Sequence, residues 1–78
     1  MRVEYEGECD LYCIDNEKTV QGQVVDFRLE EQLTCYLADS KMYMNYNKRH
    51  GLYIGSLMGK EFHTKGPKYF EVRQGRNR

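Results

Sequence analysis

Apolar and charged residues alternate along the first thirteen positions. The odd-numbered positions from Val3 to Cys13 are apolar or glycine, and the even-numbered positions from Arg2 to Asp10 are charged. A period of two over this length predicts a half-buried β-strand with a largely acidic outer face. Because the run is longer than an ordinary strand, we predict that Gly7 bends it and lets it serve two regions of the sheet.

The next apolar segment, TVQGQVVDF at 19–27, changes its phase partway along. Val20, Gly22 and Val24 share one face, but Val25 and Phe27 carry the apolar positions onto the opposite parity. One extra residue in a strand produces such a change. The pattern therefore predicts a strand with a β-bulge, which is typical of a small sheet that curls on itself.

Residues 28–39 fit two structures. Four positions spaced for one face of a short helix are Leu29, Leu33, Tyr36 and Leu37. The alternative is a turn followed by the strand LTCYL, with Leu33, Cys35 and Leu37 pointing inward. β-Branched and aromatic residues within the segment favour the strand. We predict the strand and keep a short helix within 28–39 as the alternative.

The remaining chain continues in β-patterned segments. The pattern at 41–47 predicts a strand, and the residues at 47–51 are typical of a hairpin loop that contains a glycine. The pattern at 52–64 predicts a long strand with two internal glycines. Gly66 and Pro67 interrupt the pattern before a last strand, KYFEV. The fold class predicted is all-β, a small antiparallel five- or six-stranded barrel or a strongly curled sheet. We expect one domain over 1–72 and a basic, disordered tail over 73–78.

The net charge of zero conceals an asymmetry between the two halves of the chain. Residues 1–39 carry ten acidic and three basic side chains, whereas residues 40–78 carry two acidic and nine basic ones. Such a division indicates an anionic partner, or an acidic face that meets a basic face. If the halves interleave in a compact barrel, however, their charges cancel locally.

The composition also bears on where the protein acts. No apolar run approaches the ~20 residues that span a bilayer, and the acidic N-terminus lacks the features of a signal peptide. Three cysteines in such a chain favour reduced thiols over a disulfide framework. We therefore expect a cytoplasmic protein that does not contact membranes.

Metal binding and catalysis find little support in the residues. Cys9 and Cys13 have a spacing that suits zinc, but on one strand they lie roughly 13 Å apart, too far to share an ion. The sequence contains no motif of a nucleophilic, metal-dependent or nucleotide-binding enzyme. It also contains no motif that is diagnostic of a known family. We expect no enzyme activity, no metal and no cofactor.

The best candidate surface is the predicted hairpin at 41–55. If its methionines and aliphatic residues face the core, Tyr43 and Tyr53 face outward together, with basic side chains around them. The candidate ligand-binding residues are Tyr43, Tyr53, Lys41, Lys48, Arg49, Arg73 and Arg76. Tyrosine stacks on bases, and lysine and arginine neutralise phosphates. Cross-strand tyrosines also stabilise sheets without any ligand.

Two functions follow from these features. The leading prediction is a non-catalytic binding domain that acts through a protein partner or through self-association, with charge steering the contact. The alternative is binding of single-stranded nucleic acid or a nucleotide through the basic, tyrosine-bearing sheet face.

Overall fold

The structure, a computed structural model, describes residues 2–72 and contains eight β-strands in that range. The strands are β1 (Arg2–Tyr5), β2 (Glu8–Cys13), β3 (Lys18–Arg28), β4 (Gln32–Leu37), β5 (Ser40–Asn47), β6 (Leu52–Leu57), β7 (Lys60–Thr64) and β8 (Tyr69–Val72). Strands β2–β7 form a closed antiparallel barrel, and β1 pairs with β8 in a separate two-stranded ribbon. The predicted all-β barrel is confirmed, with six strands. The proposed tail at 73–78 lies outside the described residues.

Strand order around the barrel follows the order along the chain, and β7 returns to close against β2. As a result, β2–β4 from the acidic half form one arc of the wall and β5–β7 from the basic half form the other. The halves are not interleaved within the barrel. They meet at two seams, β4–β5 and β7–β2.

Both predicted irregularities in the first three strands are confirmed. Gly7 separates β1 from β2, so that one continuous segment serves first the ribbon and then the barrel. In β3 the register with β4 shifts between Val24 and Asp26, which places the bulge at Val25. The shift brings Phe27 inward, where its side chain is buried.

Residues 32–37 form a strand, so the helical alternative for 28–39 is wrong. Leu33 and Cys35 are fully buried, as the strand pattern predicts. The preceding turn places Glu30 at a φ of 56°, and its N–H donates to the Tyr53 hydroxyl over 2.8 Å. This contact from β6 fixes the turn against the core.

The single long strand predicted over 52–64 is also wrong. Met58 and Gly59 have φ values of 54° and 75°, and Leu57 pairs with Lys60 across them. Two successive positive φ values are the signature of a type I′ hairpin turn, which glycine favours. Gly59 therefore reverses the chain and divides the segment into β6 and β7.

The core consists of aliphatic, methionine and cysteine side chains capped by aromatic rings. The largest fully buried side chains are Leu11, Leu33, Met42, Met44 and Cys35. Phe27 contacts Tyr53 at a ring-centroid distance of 5.6 Å, and it also contacts Tyr5 and Tyr69 of the ribbon at 5.4 and 5.9 Å. An isolated pair of strands is marginally stable, so these aromatic contacts hold the ribbon on the barrel. Within residues 2–72 no helix is long and apolar enough to cross a membrane.

Candidate binding cleft

The structure separates the two tyrosines of the predicted site. Tyr43 is 67% exposed, whereas Tyr53 is only 2% exposed and lies in the core, so the expectation that both face outward is wrong. The cause is the β5–β6 register, which pairs Tyr46 with Tyr53 and Met44 with Gly55. Paired residues share a face, and Tyr53 therefore points inward with the methionines.

The basic residues of the predicted site also fall apart. Lys41 lies beside Tyr43, with its Nζ 5.6 Å from the ring centroid. Lys48 and Arg49 lie in the turn at the other end of β5, an eight-residue strand that spans roughly 26 Å. Arg73 and Arg76 lie outside the described residues. What remains is a small Lys41–Tyr43 patch over a shallow depression of about 440 Å³ on β5 and β6.

A different site appears where β2 and β7 close the barrel. Their ladder covers only Tyr12↔His63 and Cys13↔Phe62. Next to these pairs, the Ile14 N–H donates to the Glu61 carbonyl over 3.1 Å, and the Asp15 carboxylate accepts the Glu61 N–H over 2.8 Å. This end of the seam is well closed.

Backbone hydrogen bonding across the seam resumes only at the ribbon, where the Glu6 N–H donates to the Lys68 carbonyl over 2.9 Å. Among the described residues, no backbone hydrogen bond joins 7–11 to 64–67. The barrel wall is therefore split between two closed points. We call this opening the cleft.

Gly66 and Pro67 explain the interruption. Extending the register of Tyr12↔His63 would place Asp10 opposite Lys65 and Glu8 opposite Pro67. Proline has no N–H to give to a neighbouring strand. Gly66 has a φ of 93°, which is not extended, and its N–H donates instead to Thr64 Oγ1 over 3.0 Å. The ladder ends for these two local reasons.

The alternation of hydrogen bonds along β2 determines which backbone groups face the cleft. On the β3 side, the Gly7 carbonyl accepts the Val24 N–H, so odd-numbered residues of this segment bond to β3. Even-numbered residues face β7, as Glu6 and Ile14 show. The N–H and C=O groups of Glu8 and Asp10 therefore point into the cleft.

The cleft opens into a depression of about 820 Å³ that also reaches Thr19 and Gln21 of β3, and its walls have opposite charge. Its floor includes Cys9 and Thr64, which are 6% and 4% exposed. The acidic wall consists of Glu6, Glu8 and Asp10, and the basic wall consists of His63, Lys65 and Lys68. Over residues 2–72 no ion pair joins the two walls; His63 Nε2 instead contacts the Glu61 carboxylate at 2.5 Å. The carboxylates of the acidic wall and the ammonium groups of Lys65 and Lys68 are thus available to a ligand, whereas His63 is engaged by Glu61.

The thiols of Cys9 and Cys35 are poorly suited to nucleophilic chemistry. Burial raises the pKa of Cys9, although a hydrogen bond with Thr64 partly opposes the effect. Burial likewise raises the pKa of Cys35 to about 11. The thiolate is the reactive form, so these protonated thiols are inert at neutral pH. Within the described residues no group of three or more His, Cys, Asp or Glu side chains is placed to hold a metal ion.

Comparison with known proteins finds no matching family model, no similar curated protein and no similar solved structure.

The sequence did contain a signal for the cleft. Gly66 and Pro67 stand next to the strand that must close a barrel, and a proline there removes a ladder donor. The pattern does not show, however, that β2 with its acidic outer face lies opposite Gly66 and Pro67.

Proposed function

We propose that this protein is a non-catalytic binding module that contacts a protein partner through the cleft between β2 and β7. The observation that carries the proposal is the interrupted β2–β7 ladder. It leaves the backbone groups of Glu8 and Asp10 without strand partners in a concave site between an acidic and a basic wall.

Size and polarity support this function. A volume of about 820 Å³ is within the roughly 300–1,000 Å³ typical of ligand sites. Unpaired charges on opposite walls favour a ligand that carries both signs, which segments of proteins commonly do. Charge complementarity of this kind gives specificity and speeds encounter.

The test is a selection of peptides from a random-sequence library displayed on phage against the immobilised protein. Enriched peptides should lose at least tenfold in affinity for a Glu8→Lys, Asp10→Lys double variant. They should keep their affinity for Asp26→Lys, a matched control that reverses an exposed acid on β3 outside the cleft. Isothermal titration calorimetry measures both. Peptides that bind all three proteins equally, or a selection without enrichment, would overturn the proposal.

A second copy of this chain is one partner that the proposal covers. In that case the mass measured by light scattering rises with protein concentration. The Glu8→Lys, Asp10→Lys variant then remains monomeric, and Asp26→Lys associates like the natural protein. A monomer at every concentration excludes self-association and leaves an unlike partner.

One observation favours a second function, the binding of single-stranded nucleic acid or a nucleotide. The exposed ring of Tyr43 lies beside the Lys41 ammonium, and the two could stack on a base and neutralise a phosphate. Anisotropy of labelled single-stranded DNA and RNA over a range of salt concentrations tests it. Affinity that falls with salt and is lost in Tyr43→Ala supports this function, and absence of binding at low salt excludes it.

A further inference from the structure

Building on the proposed function, we infer that the partner enters the cleft as an extended segment and adds as a strand to the free edge of β2. The chemical class of the ligand is a peptide in β conformation, held mainly through its main chain. Recognition would then depend on the backbone of β2 and not only on its charged side chains.

The spacing of the free backbone groups carries this inference. Glu8 and Asp10 are two residues apart on a regular strand, so their donor and acceptor pairs lie roughly 7 Å apart along the edge. An extended peptide presents its own groups at the same spacing. It would complete the edge as in other cases of strand addition.

The local register supports the same mode. On either side of the gap, β2 and the connection to β1 already bond to the chain opposite, through Ile14 to Glu61 and through Glu6 to Lys68. An incoming segment would therefore fill the gap between two existing sets of hydrogen bonds and align with the groups of Glu8 and Asp10. Other barrel strands also have unpaired stretches, at 18–22 of β3 and 40–43 of β5, but these lie where a ladder ends and not between two closed points.

The surroundings of the edge define the side chains of the segment. Residues that point inward would meet Cys9, Thr64 and Pro67, all small and buried, so small apolar side chains fit there. Residues that point outward would lie between the acidic and basic walls. We expect a segment with small apolar residues at alternate positions and charged residues of both signs between them.

An N-methyl scan of the tightest peptide from the selection tests the mode. Methylation removes one main-chain donor at a time and leaves the side chains in place. Strand addition predicts losses of at least tenfold at every second position and little change at the positions between. A flat profile would overturn strand addition, while the effect of Glu8→Lys with Asp10→Lys would still decide the proposed function independently.

Amide hydrogen exchange followed by NMR supplies the matching measurement on the protein. Binding of the same peptide should protect the amides of Glu8 and Asp10. The ribbon has free edges of its own, and by the same alternation the amides of Val3 and Glu71 lie on them. Protection at Val3 or Glu71, with none at Glu8 and Asp10, would place the peptide on the ribbon and refute the inference.

Discussion

Gly55→Ala gives the sharpest test of the barrel, because the structure specifies what the added methyl group would meet. A Cβ at this position would lie 2.6 Å from the Tyr43 carbonyl oxygen, 2.8 Å from Met44 Cγ and 3.3 Å from Met44 Cα. Distances below 3.0 Å are essentially never observed for real Cβ atoms. Two of the three atoms belong to the backbone of β5, which cannot move without disturbing the β5–β6 ladder.

The expected cost follows from the rigidity of these neighbours. Inserting a methyl group into a packed site costs about 1–3 kcal/mol, and backbone contacts place Gly55→Ala near the upper end. A loss of about 3 kcal/mol corresponds to a fall in Tm of roughly 12–24 °C for a domain of this size. The natural protein is expected to have roughly 4–12 kcal/mol of stability, so the variant should still fold.

Urea unfolding followed by circular dichroism measures the difference, and Gly7→Ala is the matched control. A Cβ at Gly7 would have no atom within 4 Å, and its φ is not in the positive region. Its free energy of unfolding should be unchanged or higher by up to about 1 kcal/mol, because alanine restricts the unfolded chain. Equal stability of the two variants would show that β5 and β6 do not approach as closely as described.

Three further outcomes test other parts of the structure. In the free protein, the amides of Glu8 and Asp10 should exchange with deuterated solvent much faster than the amide of Leu11, which bonds to β3. Uniform protection of the β2 amides in an NMR exchange experiment would disprove the interrupted ladder. The Cys35 pKa rises on folding from 9.0 to about 11, so the unfolded thiol ionises first and stability falls between about pH 9 and pH 11, by roughly 3 kcal/mol. Urea titrations should show that fall reduced by this amount in Cys35→Ala, and equal falls in both proteins would contradict the assignment. Tyr53→Phe should lower the free energy of unfolding by about 1 kcal/mol through loss of the hydrogen bond from the β3–β4 turn, and no change in urea unfolding would refute that role.

Much of the barrel could be predicted because its first half has a clear pattern of period two. The alternation before and after Gly7 predicted both the strand and its bend, because only the odd-numbered positions are apolar there. The phase change at Val24 and Val25 indicated the bulge for the same reason. In each case the local pattern admits one face for the core, and burial of apolar side chains selects it.

The second half is harder because both parities of β6 carry apolar residues. Leu52 and Ile54 alternate with Tyr53 and Leu57, so the pattern alone does not determine which set faces the core. The structure resolves it through the Tyr46↔Tyr53 pairing. For this reason the prediction that Tyr43 and Tyr53 face outward together is wrong.

The cleft could not be predicted because it depends on contacts between distant segments. Glu8 and Pro67 are far apart in the sequence and approach each other only when β7 closes on β2. The acidic pattern of β2 and the Gly66–Pro67 break were both visible, but a pattern along one strand does not give its neighbour. Register between the first and last strands of a barrel follows from all the strands between them.

A closed barrel ordinarily removes free strand edges, which protects the protein from pairing with other chains. This barrel closes at Ile14 and leaves β2 open only a few residues away, beside a proline that has no N–H to donate to it. Glu8 and Asp10 are exposed, so a ligand can reach this edge without unfolding of the barrel. The charged side chains of the two walls also limit pairing with unrelated strands. An apolar strand added to this edge would bury these charges without partners, which is unfavourable. A short free edge flanked by charges of both signs is therefore suited to selective contact with an extended segment that carries charged residues at alternate positions.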